Sequence, residues 1–395
     1  MAGKEHPATT RRFRLHPGFA PIGAPGANAA ALAGLTALIG AGRAIAISAS
    51  PALRVEAMPG DLPLISCQTS GSTGAPKRIL REHASWTRSF DANGRAFGLT
   101  PADRYAILGS LASSLCTYAA IEAMHLGVPL ADLSGAAPTA QLRALGDLGI
   151  SVLYCSPAQL RLLLRAGATP LPALRHVLCG GGKLDTPTRQ ALAAQAPAAT
   201  IREFYGAAET SFIAISDADT PEGAVGRAYP GVEIQIRNAT SGIGEIWVRS
   251  PYLFLRYAEG AAPDTRWQDG FLTVGELGRL DAQGHLHLAG RAGRMVTVAD
   301  QNVFPEAIEQ HLLSLPGIRQ CAVLPLPDPL RGQHLVAVIE GAGDEARAQI
   351  IRQSCRARLR AASVPRRVIF QPELPMLASG KPDLALLAAT LGSGA

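Results

Sequence analysis

The sequence predicts an α/β protein: a large multi-sheet α/β domain followed by a small α+β domain. Apolar runs of strand length alternate with Ala- and Leu-rich helical stretches between residues 105 and 180, which is typical of βα units around a mostly parallel sheet. From about residue 293, short strand-like runs mix with two helical stretches. The 395 residues, 47% apolar and 17% charged, suffice for two domains with a large core. We therefore predict domains at residues 1–292 and 293–395.

Local patterns predict the individual elements in chain order. Residues 1–28 contain Pro and Gly throughout and are expected to form an irregular arm. Apolar periodicity predicts helices at residues 29–40, 83–97, 305–313 and 346–360. Strands are predicted at residues 43–48, 62–66, 105–108, 152–155, 176–178, 320–324 and 334–339, with an antiparallel hairpin at 234–237 and 245–249.

Charge and cysteine content narrow the function classes. The net charge of +6 suits small anionic substrates. The sequence lacks the basic stripe interleaved with aromatic residues that would indicate nucleic-acid binding. The six cysteines lack metal-site spacing, which predicts buried thiols in a reducing compartment and a cytoplasmic location. Residues 29–50 are apolar but interrupted by Arg43, and are too polar to span a bilayer. Arg11, Arg12 and Arg14 leave a signal peptide as the alternative interpretation.

The most informative segment reads Thr69-Ser-Gly-Ser-Thr-Gly-Ala-Pro-Lys77. Glycines let backbone N–H groups approach a phosphate, hydroxyls donate to its oxygens, and lysine adds a compact positive charge. The segment is not a Walker motif, in which Gly-Lys-Ser/Thr opens a helix. Here Pro76 precedes the lysine and disfavours a helical conformation of the residue before it. The chain has only four lysines, and two of them, Lys77 and Lys381, lie in phosphate-type segments. A Ser/Gly surface turn is the alternative interpretation.

The order of these residues resembles the phosphate loop of the adenylate-forming superfamily, which includes acyl-CoA synthetases, luciferase and the adenylation domains of peptide synthetases. The family motif ends in glycine where Arg78 stands here. A second segment, Tyr205-Gly-Ala-Ala-Glu209, is similar to the family's Tyr-Gly-x-Thr-Glu. The resemblance implies that Tyr205 stacks on adenine and Glu209 holds Mg²⁺. Ala208 lacks the hydroxyl that contacts phosphate in the family.

Two further segments resemble nucleotide-binding motifs of the same family. Cys179-Gly-Gly-Gly182 has the position of the loop that flanks adenine and the acyl pocket. Val274-Gly-Glu276 stands where the family has Thr-Gly-Asp, and Gly290-Arg291 follows at the family's spacing. The resemblance implies that Glu276 binds the ribose hydroxyls and Arg291 contacts the ribose or the α-phosphate. A hairpin turn at residues 281–284 flanked by solvated charges is the alternative.

The segment from Arg291 to Glu309 resembles the start of the family's mobile C-terminal domain. Gly293 stands at the hinge position, and its backbone freedom suits that role. Ala299-Asp300 replaces a glycine pair that lies near the thiol tunnel in the family. Ala378-Ser-Gly-Lys381 matches the segment whose lysine bridges the carboxylate and the α-phosphate during adenylation.

The resemblance implies a two-step reaction in which ATP activates a carboxylic acid as an acyl-adenylate and CoA then takes the acyl group as a thioester. ATP, Mg²⁺ and CoA are the expected cofactors. The implied catalytic residues are Lys381, Arg291, Glu209 and Lys77, with Glu209 on the metal. The implied nucleotide-binding residues are Thr69, Ser70, Gly71, Ser72, Thr73, Gly74, Lys77, Gly180, Gly181, Tyr205, Gly206, Glu276 and Arg291.

Substrate and acceptor stay open at this point. Residues 111–118 stand where acyl ligases of the family have a histidine motif and amino-acid adenylators an aspartate; they contain neither, which favours a fatty or aryl acid. A phosphopantetheinyl carrier protein is the alternative acceptor. A non-catalytic nucleotide-binding relative is the other alternative, suggested by Ala208, Glu276 and Ala299-Asp300. The stretch before the phosphate loop is shorter than in the family, so a homodimer is a further expectation.

Overall fold

The computed structural model describes residues 11–49, 52–69, 77–298, 301–328, 332–377 and 382–392. Several predicted site residues lie outside these ranges, namely Ser70, Gly71, Ser72, Thr73, Gly74 and Lys381. The Ala299-Asp300 pair also lies outside them.

An eight-stranded sheet forms the centre of the large domain in the described part of the chain. Its strands, numbered in chain order and given in spatial order, are β1 (Pro21–Ile22), β7 (Leu130–Asp132), β6 (Tyr105–Ile107), β8 (Val152–Cys155), β9 (His176–Gly180), β10 (Thr200–Ala207), β11 (Ser211–Ile215) and β12 (Arg227–Ala228). The first six are parallel, and β11 and β12 are antiparallel additions. The predicted parallel βα units are confirmed. The prediction of an irregular arm over residues 1–28 was wrong at β1, which pairs with β7.

Helices cover both faces of this sheet. They are α1 (Ala29–Gly40), α2 (His83–Phe97), α3 (Ser114–Leu126), α4 (Pro138–Asp147), α5 (Pro157–Ala166) and α6 (Thr186–Gln195). Side chains alternate between the faces of a strand, so Tyr105 and Ile107 enter the core formed with α1, α2 and α3, while Ala106 enters the core formed with α4, α5 and α6. The central sheet is therefore buried on both sides.

Two smaller sheets complete the large domain. The first contains β15 (Arg256–Glu259), β5 (Lys77–Glu82), β4 (Leu64–Thr69), β2 (Ile45–Ser48) and β3 (Arg54–Ala57) in that spatial order. The second contains β16 (Arg266–Gln268), β17 (Phe271–Thr273), β14 (Ile243–Arg249), β18 (Glu276–Leu280) and β19 (Leu286–Arg291), with β13 (Glu233–Thr240) also paired to β14. Strands β4 and β5 are antiparallel, and Thr69 and Lys77 are register partners. The two ends of the predicted phosphate loop therefore lie side by side.

The C-terminal part has its own sheets and its own core. Its elements are β20 (Val296–Val298), β21 (Gln301–Val303), α7 (Pro305–Leu313), β22 (Cys321–Asp328), β23 (Gly332–Glu340), α8 (Glu345–Arg358), β24 (Arg367–Gln371) and α9 (Leu384–Gly392). Strand β23 pairs antiparallel with β22 and parallel with β24. Helix α8 begins at Glu345 because the Asp344 side chain accepts from the backbone N–H of Arg347 at 2.9 Å. The predicted class, a large α/β part and a small α+β part, is confirmed.

The cysteines confirm the prediction of buried thiols. All six are free and buried: Cys67, Cys116, Cys155, Cys179, Cys321 and Cys355. Burial raises the pKa of Cys67 and of Cys116 to about 12. In the residues described, no helix combines the length and the apolar character needed to cross a bilayer.

Candidate active site

The Tyr205–Glu209 segment forms the end of β10 and the turn into β11. A Cβ on Gly206 would lie 1.9 Å from the carbonyl oxygen of Ser211, so the hairpin accepts only glycine there. Thr210 is buried, and its hydroxyl accepts from the Ala207 N–H at 2.9 Å. This hydroxyl is used inside the turn, so it does not replace the one missing at Ala208.

Glu209 is half-buried and is held by a residue that the sequence analysis did not find. Its Oε1 accepts from the Tyr257 hydroxyl at 2.7 Å, and its carbonyl oxygen accepts from the Phe254 N–H at 2.8 Å. Tyr257 lies on β15, 48 positions further along the chain, so no local pattern could indicate the contact. The strand assignment of β15 itself was also absent from the sequence prediction.

The surroundings of Glu209 fit a magnesium ion held jointly with phosphates. A carboxylate has about four lone-pair positions, so the bond from Tyr257 leaves capacity for a cation. Mg²⁺ is commonly bound by one or two carboxylates together with substrate phosphates. Within the described ranges, no group of three or more His, Cys, Asp or Glu residues could hold a metal alone. A phosphate-bearing substrate is therefore the partner that would complete such a site.

Three of the predicted nucleotide-binding residues are joined by hydrogen bonds. Strands β18 and β19 are antiparallel, and their register sets Glu276 opposite Arg291. Arg291 Nε donates to Glu276 Oε1 at 3.2 Å, and the Tyr205 hydroxyl donates to Glu276 Oε2. Burial and the adjoining carboxylate raise the pKa of Tyr205 well above its ordinary value, so the phenol keeps its proton. Although burial disfavours its charge, Glu276 keeps the pKa of Arg291 above its ordinary value.

The glycine loop begins at the end of β9, the strand that pairs with β10. Gly180 is the register partner of Phe204 in the parallel pair β9–β10, and a Cβ on Gly180 would lie 2.2 Å from the Phe204 ring. Gly181 has a φ of +84°, a left-handed conformation that favours glycine. The Phe204 ring packs against Phe212 with centroids 4.6 Å apart. The loop therefore packs against the Phe204 ring of β10.

Lys77 is connected to Glu209 through the neighbouring strand. It begins β5, and the Ile79 of that strand is the register partner of Tyr257 in β15. A Cβ on Gly260, just beyond β15, would lie 3.2 Å from Lys77 Cγ, which shows how closely the two segments pass. The described residues thus link Lys77, Glu209, Tyr205, Glu276 and Arg291 in one continuous region.

Gly293 lies in a short 3₁₀ turn, Ala292–Arg294, that directly follows β19. The turn is tied to the large domain by the Ala292 N–H, which donates to the Gly275 carbonyl at 2.8 Å. On the other side, Arg294 makes a two-pronged pair with Glu309 of α7, at 2.8 and 3.1 Å. Gly293 itself is exposed between these two attachments.

Two family models match this chain. The model of AMP-binding enzymes matches residues 31–258, and the model of the AMP-binding enzyme C-terminal domain matches residues 307–381. The chain belongs to the AMP-binding enzyme family, and thereby to the adenylate-forming superfamily.

Individual relatives include enzymes that act on acids. The uncharacterized acyl-CoA ligase YhfT of Bacillus subtilis is 34% identical over 322 residues, which cover 79% of this chain and 65% of YhfT. The long-chain-fatty-acid–CoA ligase FadD13 of Mycobacterium tuberculosis is 26% identical over 344 residues, covering 82% of this chain and 66% of FadD13. The chain therefore spans slightly less than two thirds of the length of these relatives.

Solved structures share the fold. The amide bond synthetase McbA of Marinactinospora thermotolerans has a TM-score of 0.71 at 27% identity, covering 87% of this chain and 72% of that chain. The O-succinylbenzoate coenzyme A synthetase of Bacillus subtilis, in complex with ATP and magnesium ion, has a TM-score of 0.73 at 23% identity, covering 82% and 69%.

Proposed function

We propose that the chain uses Mg·ATP to activate a carboxylic acid as an acyl-adenylate and then transfers the acyl group to CoA. The observation that carries the proposal is that Tyr205, near the end of β10 and four residues before Glu209, is hydrogen-bonded to Glu276, which in turn binds Arg291. The names of YhfT and FadD13 support an acyl-CoA ligase reaction, and residues 111–118 favour a fatty or aryl acid.

The nucleotide end of the site is preorganised. Both oxygens of Glu276 are already bonded, one to Tyr205 and one to Arg291, so its carboxylate keeps a fixed orientation toward ribose hydroxyls. Arg291 remains cationic and is placed to stabilise charge that develops on the α-phosphate. Fixed charges of this kind stabilise a transition state without reorganising during the reaction.

The phosphate end contains the remaining charges. Glu209 would hold Mg²⁺, which when bound neutralises phosphate oxygens and lowers the barrier to displacement at the α-phosphorus. Lys77 and the loop between Thr69 and Lys77 would bind the pyrophosphate side, and Lys381 would bridge the acid and the α-phosphate.

The bond changes balance without a covalent enzyme intermediate. A carboxylate oxygen attacks the α-phosphorus, and the bond to the bridging oxygen breaks to release pyrophosphate. The thiolate of CoA then attacks the acyl carbonyl, and AMP leaves. We further propose residues 1–292 and 293–395 as the two domains. Gly293 would be the hinge at which the C-terminal domain turns between the two steps of the reaction.

Release of pyrophosphate tests the first step. Mg·ATP is supplied with a panel of aliphatic and aromatic acids, and release is expected with at least one of them. Binding of ATP without release from any acid would instead support the non-catalytic relative, which the alanine at position 208 favours. Lys381→Ala is expected to abolish release far more than it weakens ATP binding, and equal loss of both would contradict the bridging role.

Acceptors test the second step. Preformed acyl-adenylate is given CoA, a holo carrier protein or a simple amine, and the three rates of acyl transfer are compared. The amine is included because McbA is an amide bond synthetase. CoA is expected to react fastest, and preference for either other acceptor would refute the CoA assignment. The cytoplasmic location and the homodimer stay predictions.

A further inference from the structure

A buried arginine lies behind the turn between β10 and β11. Arg81, near the end of β5, is 0% exposed and is one of the largest fully buried side chains. A guanidinium that has lost its hydration needs several acceptors. Arg81 Nη1 donates to the hydroxyls of Ser85 at 3.0 Å and Ser211 at 2.8 Å, and to the Tyr252 carbonyl at 3.1 Å. Arg81 Nη2 donates to the carbonyl oxygen of Ala208.

Arg81 stays charged at neutral pH. Burial lowers its pKa to about 10, while neighbouring acidic groups, among them Glu209, act in the opposite direction. The guanidinium also lies over the Trp86 ring, 5.0 Å from its centroid, and Trp86 Nε1 donates to the Ser211 hydroxyl at 3.2 Å. A cation is thus fixed to the turn and to helix α2 together.

The side chains of Lys77 and Arg81 lie on the same face of strand β5. Side chains alternate along a strand, so Lys77, Ile79 and Arg81 share a face of β5. Tyr257, the register partner of Ile79, adds its side chain to that face. One sheet face therefore holds the Glu209 side chain through Tyr257 and the preceding peptide through Arg81.

We propose that Arg81 is a positioning residue that fixes the turn at residues 207–211 and so sets Glu209 against metal-bound phosphates. The proposal rests on the proposed function, because it assigns Glu209 to Mg·ATP. The carbonyl and the next N–H of a trans peptide point in opposite directions. Anchoring the Ala208 carbonyl on Arg81 consequently turns the Glu209 N–H to the other side. The Glu209 N–H would then donate a hydrogen bond to a phosphate oxygen. It would replace the hydroxyl that is missing at Ala208.

Three variants test this role. Arg81→Met keeps most of the side-chain volume and removes every donor. Arg81→Lys keeps the charge but loses the fork that reaches two acceptors at once. The control is Arg161→Met, which breaks a mostly buried ion pair of 2.8 Å with Asp185 on the α5–α6 side of the central sheet.

The first measurement is calorimetric binding of ATP at a series of free Mg²⁺ concentrations, without any acid substrate. Arg81→Met is expected to weaken Mg·ATP binding about tenfold, Arg81→Lys about threefold, and Arg161→Met less than twofold. Arg81→Met that is folded and binds like the control would overturn the proposal. If Arg81→Met does not fold, Arg81→Lys with wild-type affinity would overturn it.

The second measurement does not need nucleotide. Hydrogen exchange of the backbone at residues 205–213 is expected to be faster in the Arg81 variants and unchanged in Arg161→Met. Failure of the wild-type protein to bind Mg·ATP would refute the proposed function and the assignment of Glu209 to metal-bound phosphates, but not the role of Arg81 in fixing the turn. Unchanged exchange in folded Arg81 variants would refute the positioning role, whatever the result with ATP.

Discussion

Replacing Glu122 by glutamine should change how the stability of the protein depends on pH. Glu122 lies on α3 and is 0% exposed. Its Oε2 accepts from the hydroxyls of Tyr105 at 3.0 Å and Tyr154 at 2.5 Å, and its Oε1 accepts from Asn93 Nδ2 at 2.8 Å. Glutamine has nearly the same shape but no titrating group, so the variant isolates the effect of the buried carboxyl.

The magnitude follows from the pKa of this group. Burial raises the pKa of Glu122 from 4.5 to about 7, although hydrogen bonds from Tyr154, Asn93 and Tyr105 oppose the rise. Between these two values the folded protein keeps a proton that the unfolded chain releases, so rising pH favours unfolding. Each pH unit costs about 1.4 kcal/mol, and the free energy of unfolding should lose roughly 3 kcal/mol from this group between pH 4.5 and 7.

Urea denaturation at several pH values measures the effect, as the difference between Glu122→Gln and the wild type. The difference is needed because burial lowers the pKa of His83, His125 and His176 to about 4, which makes stability rise with pH over part of the same range. The variant should gain roughly 3 kcal/mol relative to the wild type between pH 4.5 and 7 and nothing further above it. A difference that stays constant across this range would refute the reasoning.

Tyr154→Phe provides an independent check of the same group. Among the hydrogen bonds that lower the pKa of Glu122, the one from the Tyr154 hydroxyl has the largest effect. Its removal should move the end of the pH-dependent range above 7. A range that ends at a lower pH would contradict the assignment.

Three further predictions concern the site. Gly206→Ala sets a Cβ 1.9 Å from the Ser211 carbonyl oxygen and should cost at least about 3 kcal/mol in thermal or urea denaturation, and a cost below about 1 kcal/mol would contradict the hairpin geometry. Gly180→Ala meets the Phe204 ring and should cost about 1–3 kcal/mol, with part recovered by adding Phe204→Leu in a double-mutant cycle; strict additivity would argue against the contact. Tyr257→Phe removes the hydrogen bond to Glu209, the carboxylate proposed to hold Mg²⁺, and should raise the Mg²⁺ needed for half-maximal pyrophosphate release about tenfold, whereas an unchanged requirement would show that the bond does not matter.

Local patterns predicted much of the fold. The helix at residues 83–97 has the bounds of α2 because Trp86, Phe90 and Phe97 recur at helical spacing and are all buried. Strand β1 escaped prediction because two residues in a Pro- and Gly-rich stretch have no periodicity, and only pairing with β7 makes them a strand.

The residues of the candidate site could be named from the sequence, but the contacts between them could not. Tyr205, Glu276 and Arg291 stood out in the sequence, but the bond between Tyr205 and Glu276 joins residues 71 positions apart. Arg81 gave no signal, because a charged residue in a strand is ordinarily assigned to the solvent side. Its burial depends on acceptors from α2, β11 and the segment before β15 that meet only in the folded chain.

The reactivity of the buried cysteines can be used to measure local opening of the protein. Four of them lie in the large domain and two, Cys321 and Cys355, in the small one. A thiol-specific reagent can react with each only when the surrounding structure opens, since burial excludes the reagent and also raises the pKa of Cys355 to about 11. The order in which the six thiols are modified would rank the two domains by the frequency of their openings. A single cysteine introduced on the surface would then carry a fluorescent label with little background from the native thiols.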